Sequence, residues 1–229
     1  MLENYINLLR SEVKIIFSKD STGHDIGHLA RTMNNALFLQ KYEGGDKLVI
    51  GVSAFLHDIH RVVQNEQNKY CSPKESLPII KELLEKIKIP VDKTKKVLHA
   101  IEYHEEYNWN NPDNQTNDIE TLILQDADNL DAIGAIGVAR TFQYSGAYGL
   151  PMYDESVPID KNNPWNESKG HDASNIHHFY NKLFRLCESM NTPTAFALAQ
   201  QKKEFMENFV ETFMEEWHGT YNIIKKKGK

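Results

Sequence analysis

The sequence predicts an all-α fold in a single domain. Three observations carry that expectation. Apolar residues recur at three- and four-residue spacings through most of the chain, those stretches begin and end at helix-capping and helix-stopping residues, and no run reads as a β-hairpin. At 229 residues the chain can bury a substantial core in one domain, and neither an internal repeat nor a linker divides it.

The elements follow in order. Leu2, Ile6, Leu9, Val13 and Phe17 form one apolar stripe of a first helix. A second runs from about Asp25, a natural N-cap, to Tyr42, where Gly44-Gly45 stops it. A third covers Lys47 to Arg61, with Val49, Val52, Phe55, Leu56 and Ile59 almost all of buried type. Pro73 opens a fourth, carried by Leu77, Ile80, Leu83, Leu84 and Ile87 and ended by Pro90. Asp92 is expected to cap a fifth that reaches about Tyr107. The polar stretch Asn108 to Asp118 reads as a loop, and Ile119 to about Tyr144 as one or two helices in which Gly134 and Gly137 permit close packing. From Ser145 to Ser174 periodicity is lost. Helices over Ser174 to Met190 and Pro193 to about Trp217 complete the fold.

Composition narrows the function classes. A net charge of −6 argues against a stable nucleic-acid complex, and the basic KKKGK terminus reads as a solvated tail. No stretch approaches the roughly 18–20 apolar residues that a bilayer span needs, so no membrane association is expected. The amphipathic start MLENYINLLRSEVKIIF lacks the features of a signal peptide. Cys71 and Cys187 are far apart, which offers neither a disulfide framework nor a cysteine metal knuckle and fits a reducing cytoplasm. The oddity is ten histidines, gathered near aspartates.

Four places combine these types. GHDIGH supplies His24, Asp25 and His28, and AFLHDIHR ends an apolar run on His57 and Asp58. HAIEYHEE holds His99 and His104, and LILQDADNLDAIG holds Asp126, Asp128 and Asp131, the last two on one helix face. A buried carboxylate beside apolar neighbours is costly unless a cation or hydrogen bonds compensate it. Imidazole and carboxylate donors without thiolate suit Mn, Mg, Co, Ni, Fe or Zn, and a site of three or four protein ligands keeps positions open for water and substrate. An HD dipeptide alone says little; its order and context carry the information.

That order resembles the HD-domain metal-dependent phosphohydrolases. Their H…HD…D pattern maps onto His28, His57, Asp58 and Asp128, the last preferred over Asp126 because of its setting in Ala127-Asp128-Asn129-Leu130. HDIGHLARTMNNA, FLHDIHR and DADNLDAIGAIGVAR look like the family's ligand helices, and NIHHFYNKLFRL with the segment after it resembles a small stand-alone bacterial subgroup. The resemblance spans roughly residues 20 to 217. It implies a divalent metal ion on His28, His57, Asp58 and Asp128, within a helical core at about 20–144, followed by an irregular segment at 145–174 and C-terminal helices at 175–217. Two positions depart from it. Asn129 stands where many members have a basic residue, and Arg61 where nucleotidase relatives often have an acid.

The implied function is hydrolysis of a phosphorylated small molecule, foremost a nucleotide, with release of phosphate or pyrophosphate from nucleoside triphosphates. Asp58, Asp131 and His104 form the candidate catalytic set: Asp131 orients a ligand imidazole or the nucleophile, and His104 joins a second metal or acts as acid or base. Arg31 and Arg61, each three residues after a ligand, and His178 and Lys182, four apart on one helix, are candidate phosphate donors. The segment 145–174, with Tyr148, Tyr153, Trp165 and His171, reads as a lid over the cleft or as a packed surface loop. A cyclic or signalling nucleotide phosphodiesterase, a di-iron oxygenase and a non-catalytic sensor that binds metal and ligand are the competing readings. A homodimer is a candidate assembly.

Overall fold

Apolar stripes at helical spacing become helices throughout the computed structural model, which describes residues 1–18, 23–106, 116–160, 162 and 170–221. The fold is all-α, and among the described residues there is no strand. The helices are α1 (Leu2–Ile16), α2 (Ile26–Glu43), α3 (Lys47–Leu56), α4 (Ile59–Gln67), α5 (Pro73–Lys86), α6 (Val91–Tyr103), α7 (Ile119–Asp131) and α8 (Gly134–Tyr148). After them come α9 (Asn175–His178), a π-helical stretch (Phe179–Leu183), α10 (Phe184–Glu188) and α11 (Pro193–His218). No helix among the described residues is long and apolar enough to cross a membrane.

Helix α3 is the axis of the packing. Every residue from Val49 to Leu56 is buried, and α1, α2, α6 and α7 all pack against the helix. At Gly51 a Cβ would lie 2.6 Å from a methyl of Leu2, so a larger residue there would require that side chain to move. A helix apolar on all sides must sit in the middle of a helical protein. Its C-terminal end therefore delivers His57 and Asp58 to the interior. Helices α2 and α7 flank α3 and also pack on each other, which brings the segments carrying His28, His57-Asp58 and Asp128 together.

Several boundaries differ from the sequence expectation. The helix expected over Lys47 to Arg61 is two helices, broken at His57-Asp58, where Asp58 has φ −93° and ψ 13°. His57 keeps helical angles across the break and Arg61 N donates to Asp58 O at 2.9 Å, so the apolar periodicity continues and hides it. Pro90, not Asp92, occupies the N-cap position of α6, and that helix stops at Tyr103 rather than Tyr107. Ser145 to Tyr148 finish α8, so the irregular segment begins only at Gly149, which takes φ 67°. The helix expected over Ser174 to Met190 is interrupted by the π-helical stretch. The Asn108 to Asp118 loop, Trp165 and the KKKGK tail fall mostly or wholly outside the described residues.

Between α7 and α8 the chain turns sharply at Gly134, whose φ of +73° favours glycine. At Gly137 a Cβ would meet the Ala132 carbonyl oxygen at 2.2 Å. These two glycines let α8 start immediately after α7.

Asp126 holds the C-terminal helix in place. Its buried carboxylate accepts from Asn191 N (2.8 Å), Asn191 Nδ2 (3.0 Å), Thr192 N (2.8 Å) and Thr192 Oγ1 (2.7 Å). Asp126→Ala should lower unfolding free energy by about 3 kcal/mol, the cost of stranding several buried donors. Chemical denaturation checks this.

Candidate metal centre

The N-terminus of α2 is set by Asp25, whose carboxylate accepts from His28 N at 2.8 Å. That cap fixes His28 one turn inside the helix, fully buried. His57 and Asp58 arrive from the end of α3, and Asp128 and Asp131 from the last turn of α7. The four residues of the expected ligand set meet. His28 Nε2 lies 3.2 Å from His57 Nε2, 3.1 Å from Asp58 Oδ2 and 3.4 Å from Asp128 Oδ1. His57 Nε2 lies 3.6 Å from Asp58 Oδ1 and 3.5 Å from Asp128 Oδ1. Donors bonded to one ion at about 2.0–2.2 Å sit roughly 3.0–3.6 Å apart along the edges of their polyhedron, so these separations fit a shared cation.

The ring orientations fit as well. His57 Nδ1 donates to the Ala54 carbonyl at 3.0 Å. In the neutral ring that leaves Nε2 with its lone pair toward the cluster. His28 Nδ1 donates to Asp131 Oδ2 at 2.8 Å, the carboxylate–imidazole arrangement that fixes a ligand histidine. Asp131 in turn accepts from Arg31 Nε (2.7 Å), Arg31 Nη2 (3.0 Å) and Arg140 Nη1 (3.0 Å). The buried Oδ2 of Asp58 has no hydrogen-bond donor among the described residues, as befits an atom reserved for a cation. Chemistry and geometry both fit a divalent metal ion.

Burial opposes charge on all these groups, but their mutual pairing outweighs it. Asp58 and Asp128 lie well below the usual carboxylate range because His57 and His28 face them. Asp131 is pulled down to about 2 by its hydrogen bonds from His28 and Arg31. His57, facing Asp58 and Asp128, is raised to about 9 despite burial.

The remaining expected residues divide. Arg31 is expected as a phosphate donor, but its guanidinium is committed to Asp131 and is not among the described residues lining the adjoining cleft. Arg61, His178 and Lys182 do line that cleft, an open depression with a cavity volume of about 140 Å³. His178 donates from Nδ1 to Asp172 at 2.6 Å. Burial and the nearby Arg61 lower Lys182 to about 8. The cleft joins the cluster through Arg61, 3.9 Å from Asp58, through Arg140 on Asp131, and through His24, whose ring lies 5.7 Å from that of His28. His104 packs its ring 5.1 Å from that of His57, whereas His99 lies tilted against Tyr103. Of the expected lid aromatics, Tyr148 and His171 face the cleft, while Tyr153 lies against His177 and Trp217.

Sequence reasoning missed Arg140, Glu105 and the place of His60. Arg140 lies in the DADNLDAIGAIGVAR block, but a helix break separates it from Asp131, so no spacing rule connects them. Glu105 follows His104 and meets His60 Nε2 at 3.3 Å; only the folded chain, which brings the residues after α6 to the start of α4, reveals that.

Residues 25–133 match the family model of the HD domain, and the Bacillus subtilis protein YpgQ is 30% identical over 202 residues, 88% of each chain. This chain belongs to the HD-domain family. A crystal structure of an HD-superfamily hydrolase from Bacillus thuringiensis superposes with a TM-score of 0.69 at 34% identity, covering 95% of this chain and 99% of that one. The Bacillus subtilis YpgQ structure in complex with ADP has a TM-score of 0.66 at 29% identity, over 90% and 96% of the two chains. The HD doublet of this member is His57-Asp58.

Ligation requires a neutral His57, so affinity for added Mn²⁺ should climb as the pH rises toward about 9 and level off above it, with protons released on binding. Calorimetry in buffers of different ionisation enthalpy reads both effects. In the metal-free chain the sign is opposite: the raised His57 value adds stability that is full below its ordinary 6.5 and is lost as the pH passes about 9. Asp131→Asn should weaken metal binding by about 10–100-fold, measured by the same titration.

Proposed function

We propose that this HD-domain chain is a divalent-metal-dependent phosphohydrolase acting on nucleotides, releasing phosphate or pyrophosphate from nucleoside triphosphates. The observation that carries the reading is the convergence of His28, His57, Asp58 and Asp128 to separations of 3.1–3.6 Å beside a cleft lined by Arg61, Arg140 and Lys182. Cations around an open space suit a polyanionic substrate. A relative of matching fold crystallised with ADP supports a nucleotide over other phosphate esters. Buried free thiols at Cys71 and Cys187 support a cytoplasmic setting.

In this reading His28, His57, Asp58 and Asp128 hold the ion, which is Mn, Mg, Co, Ni, Fe or Zn. When bound, it supplies Lewis acidity toward water and a phosphoryl oxygen. Asp131 keeps the His28 ring fixed by accepting from Nδ1, and Arg31 and Arg140 keep Asp131 fixed. Arg61, Lys182 and His178 receive the phosphate chain by charge and hydrogen bonds. His104 is held neutral because burial lowers it to about 4, and its Nδ1 proton is committed to the Ile101 carbonyl at 2.7 Å. Its Nε2 therefore offers a lone pair to a hydrogen-bond donor or a cation and does not itself donate. The proton for the leaving group comes from another group in the cleft or from solvent.

The test is a screen of nucleoside mono-, di- and triphosphates, with cyclic nucleotides included, against protein reconstituted with each metal and with products separated by chromatography. Turnover of triphosphates is expected, falling by at least about 10³-fold in Asp58→Ala while the helical circular dichroism signal persists. No turnover of any nucleotide with any of these metals would sink the reading, and exclusive cleavage of cyclic nucleotides would replace it with a phosphodiesterase.

A further inference from the structure

A second group of ligating atoms adjoins the first. Asp58, His60, His104 and Glu105 each offer one donor atom, all within 4.8 Å of one another. Asp58 belongs to both groups. The two imidazoles are pre-set for an ion: His60 Nδ1 donates to the His57 carbonyl at 3.1 Å and His104 Nδ1 to the Ile101 carbonyl at 2.7 Å. Each neutral ring thus turns a bare Nε2 inward. Both Nε2 atoms are fully buried and, among the described residues, make no hydrogen bond; His60 Nε2 lies 3.3 Å from Glu105 Oε1 without forming one. Two imidazoles and two carboxylates are the donor set of a first-row divalent ion.

Arg61 stands in the way. Its Nη2 donates to Glu105 Oε1, and its Nε lies 3.9 Å from Asp58 Oδ1. One guanidinium thus addresses both carboxylates of the group. It keeps its proton at any working pH, and because Arg61 and Glu105 are nearly buried, with side chains only 11% and 12% exposed, solvent screens its charge poorly. A divalent ion among these four donors would sit against that fixed charge and compete for the same oxygens.

We infer that Asp58, His60, His104 and Glu105 form a latent second divalent-metal site that Arg61 holds closed. The chain therefore carries one ion and an arginine in place of two ions. Arg61 also lines the cleft, so the charge that excludes the second metal is presented to an incoming phosphate. This inference rests on the first group being a metal site, as proposed above.

Titration of the full-length protein with Mn²⁺ alone tests it, with ions counted by calorimetry and elemental analysis and with electron paramagnetic resonance reporting exchange coupling between neighbouring Mn²⁺ ions. The wild type should take one ion, uncoupled. Arg61→Gln should take two, coupled through Asp58, and Arg61→Gln combined with His104→Ala should return to one. Arg61→Lys, which retains a positive charge, should stay at one and serves as the folding-safe comparison. Two ions in the wild type would overturn the exclusion by Arg61, and one ion in a helical Arg61→Gln would overturn the latent site. A wild type that takes no ion would instead sink the first metal site. The gain of one ion in Arg61→Gln, lost again in the double variant, would then still support the latent site, and no gain would overturn it.

Discussion

The structure depends on where Asp58 has been put. A carboxylate at the end of α3, the most thoroughly buried helix of the fold, sits where its charge is expensive to maintain. Everything around it supplies compensation: imidazoles from α2 and α3, the guanidinium of Arg61 and a geometry suited to a cation. An interior with this many ionisable groups is stable only if each charge is answered. The packing of α2, α3, α6 and α7 is thus inseparable from the electrostatics of the cluster.

That compensation is layered. His28 and His57 face Asp58 directly, and each has its far nitrogen tied down, one by Asp131 and the other by the Ala54 carbonyl. Asp131 is fixed by arginines from two different helices, α2 and α8. The result links the N-terminal half of the chain to α8, which also forms one wall of the cleft. Ligand orientation and cleft shape therefore respond to the same ion pairs.

Much of this was legible from the sequence because helical periodicity is a local property. The helices, the Asp25 cap and the grouping of His28, His57, Asp58 and Asp128 follow from spacing and from resemblance to a known pattern. What escaped depended on contacts distant in sequence or on backbone details that leave periodicity intact. The break at His57-Asp58 is invisible because His57 remains helical. Arg31 looked like a phosphate donor because nothing local reveals that Asp131, 100 residues later, engages its guanidinium. Asp126 and Asp128, two residues apart in one motif, take opposite duties because α7 turns one toward α11 and the other toward α3, and only the packed structure separates them.

The π-helical stretch from Phe179 to Leu183 has a consequence for how such a protein diversifies. A π turn accommodates one residue more than the α-helix around it, and each α-helical residue advances the azimuth by about 100°. Losing a single residue there would restore regular winding and swing Lys182 relative to His178, altering the cationic wall without touching His28, His57, Asp58 or Asp128. The lining of the cleft in this architecture is therefore open to change by insertion and deletion as well as by substitution. The helix that bounds the cleft behaves as a dial whose settings are one residue apart.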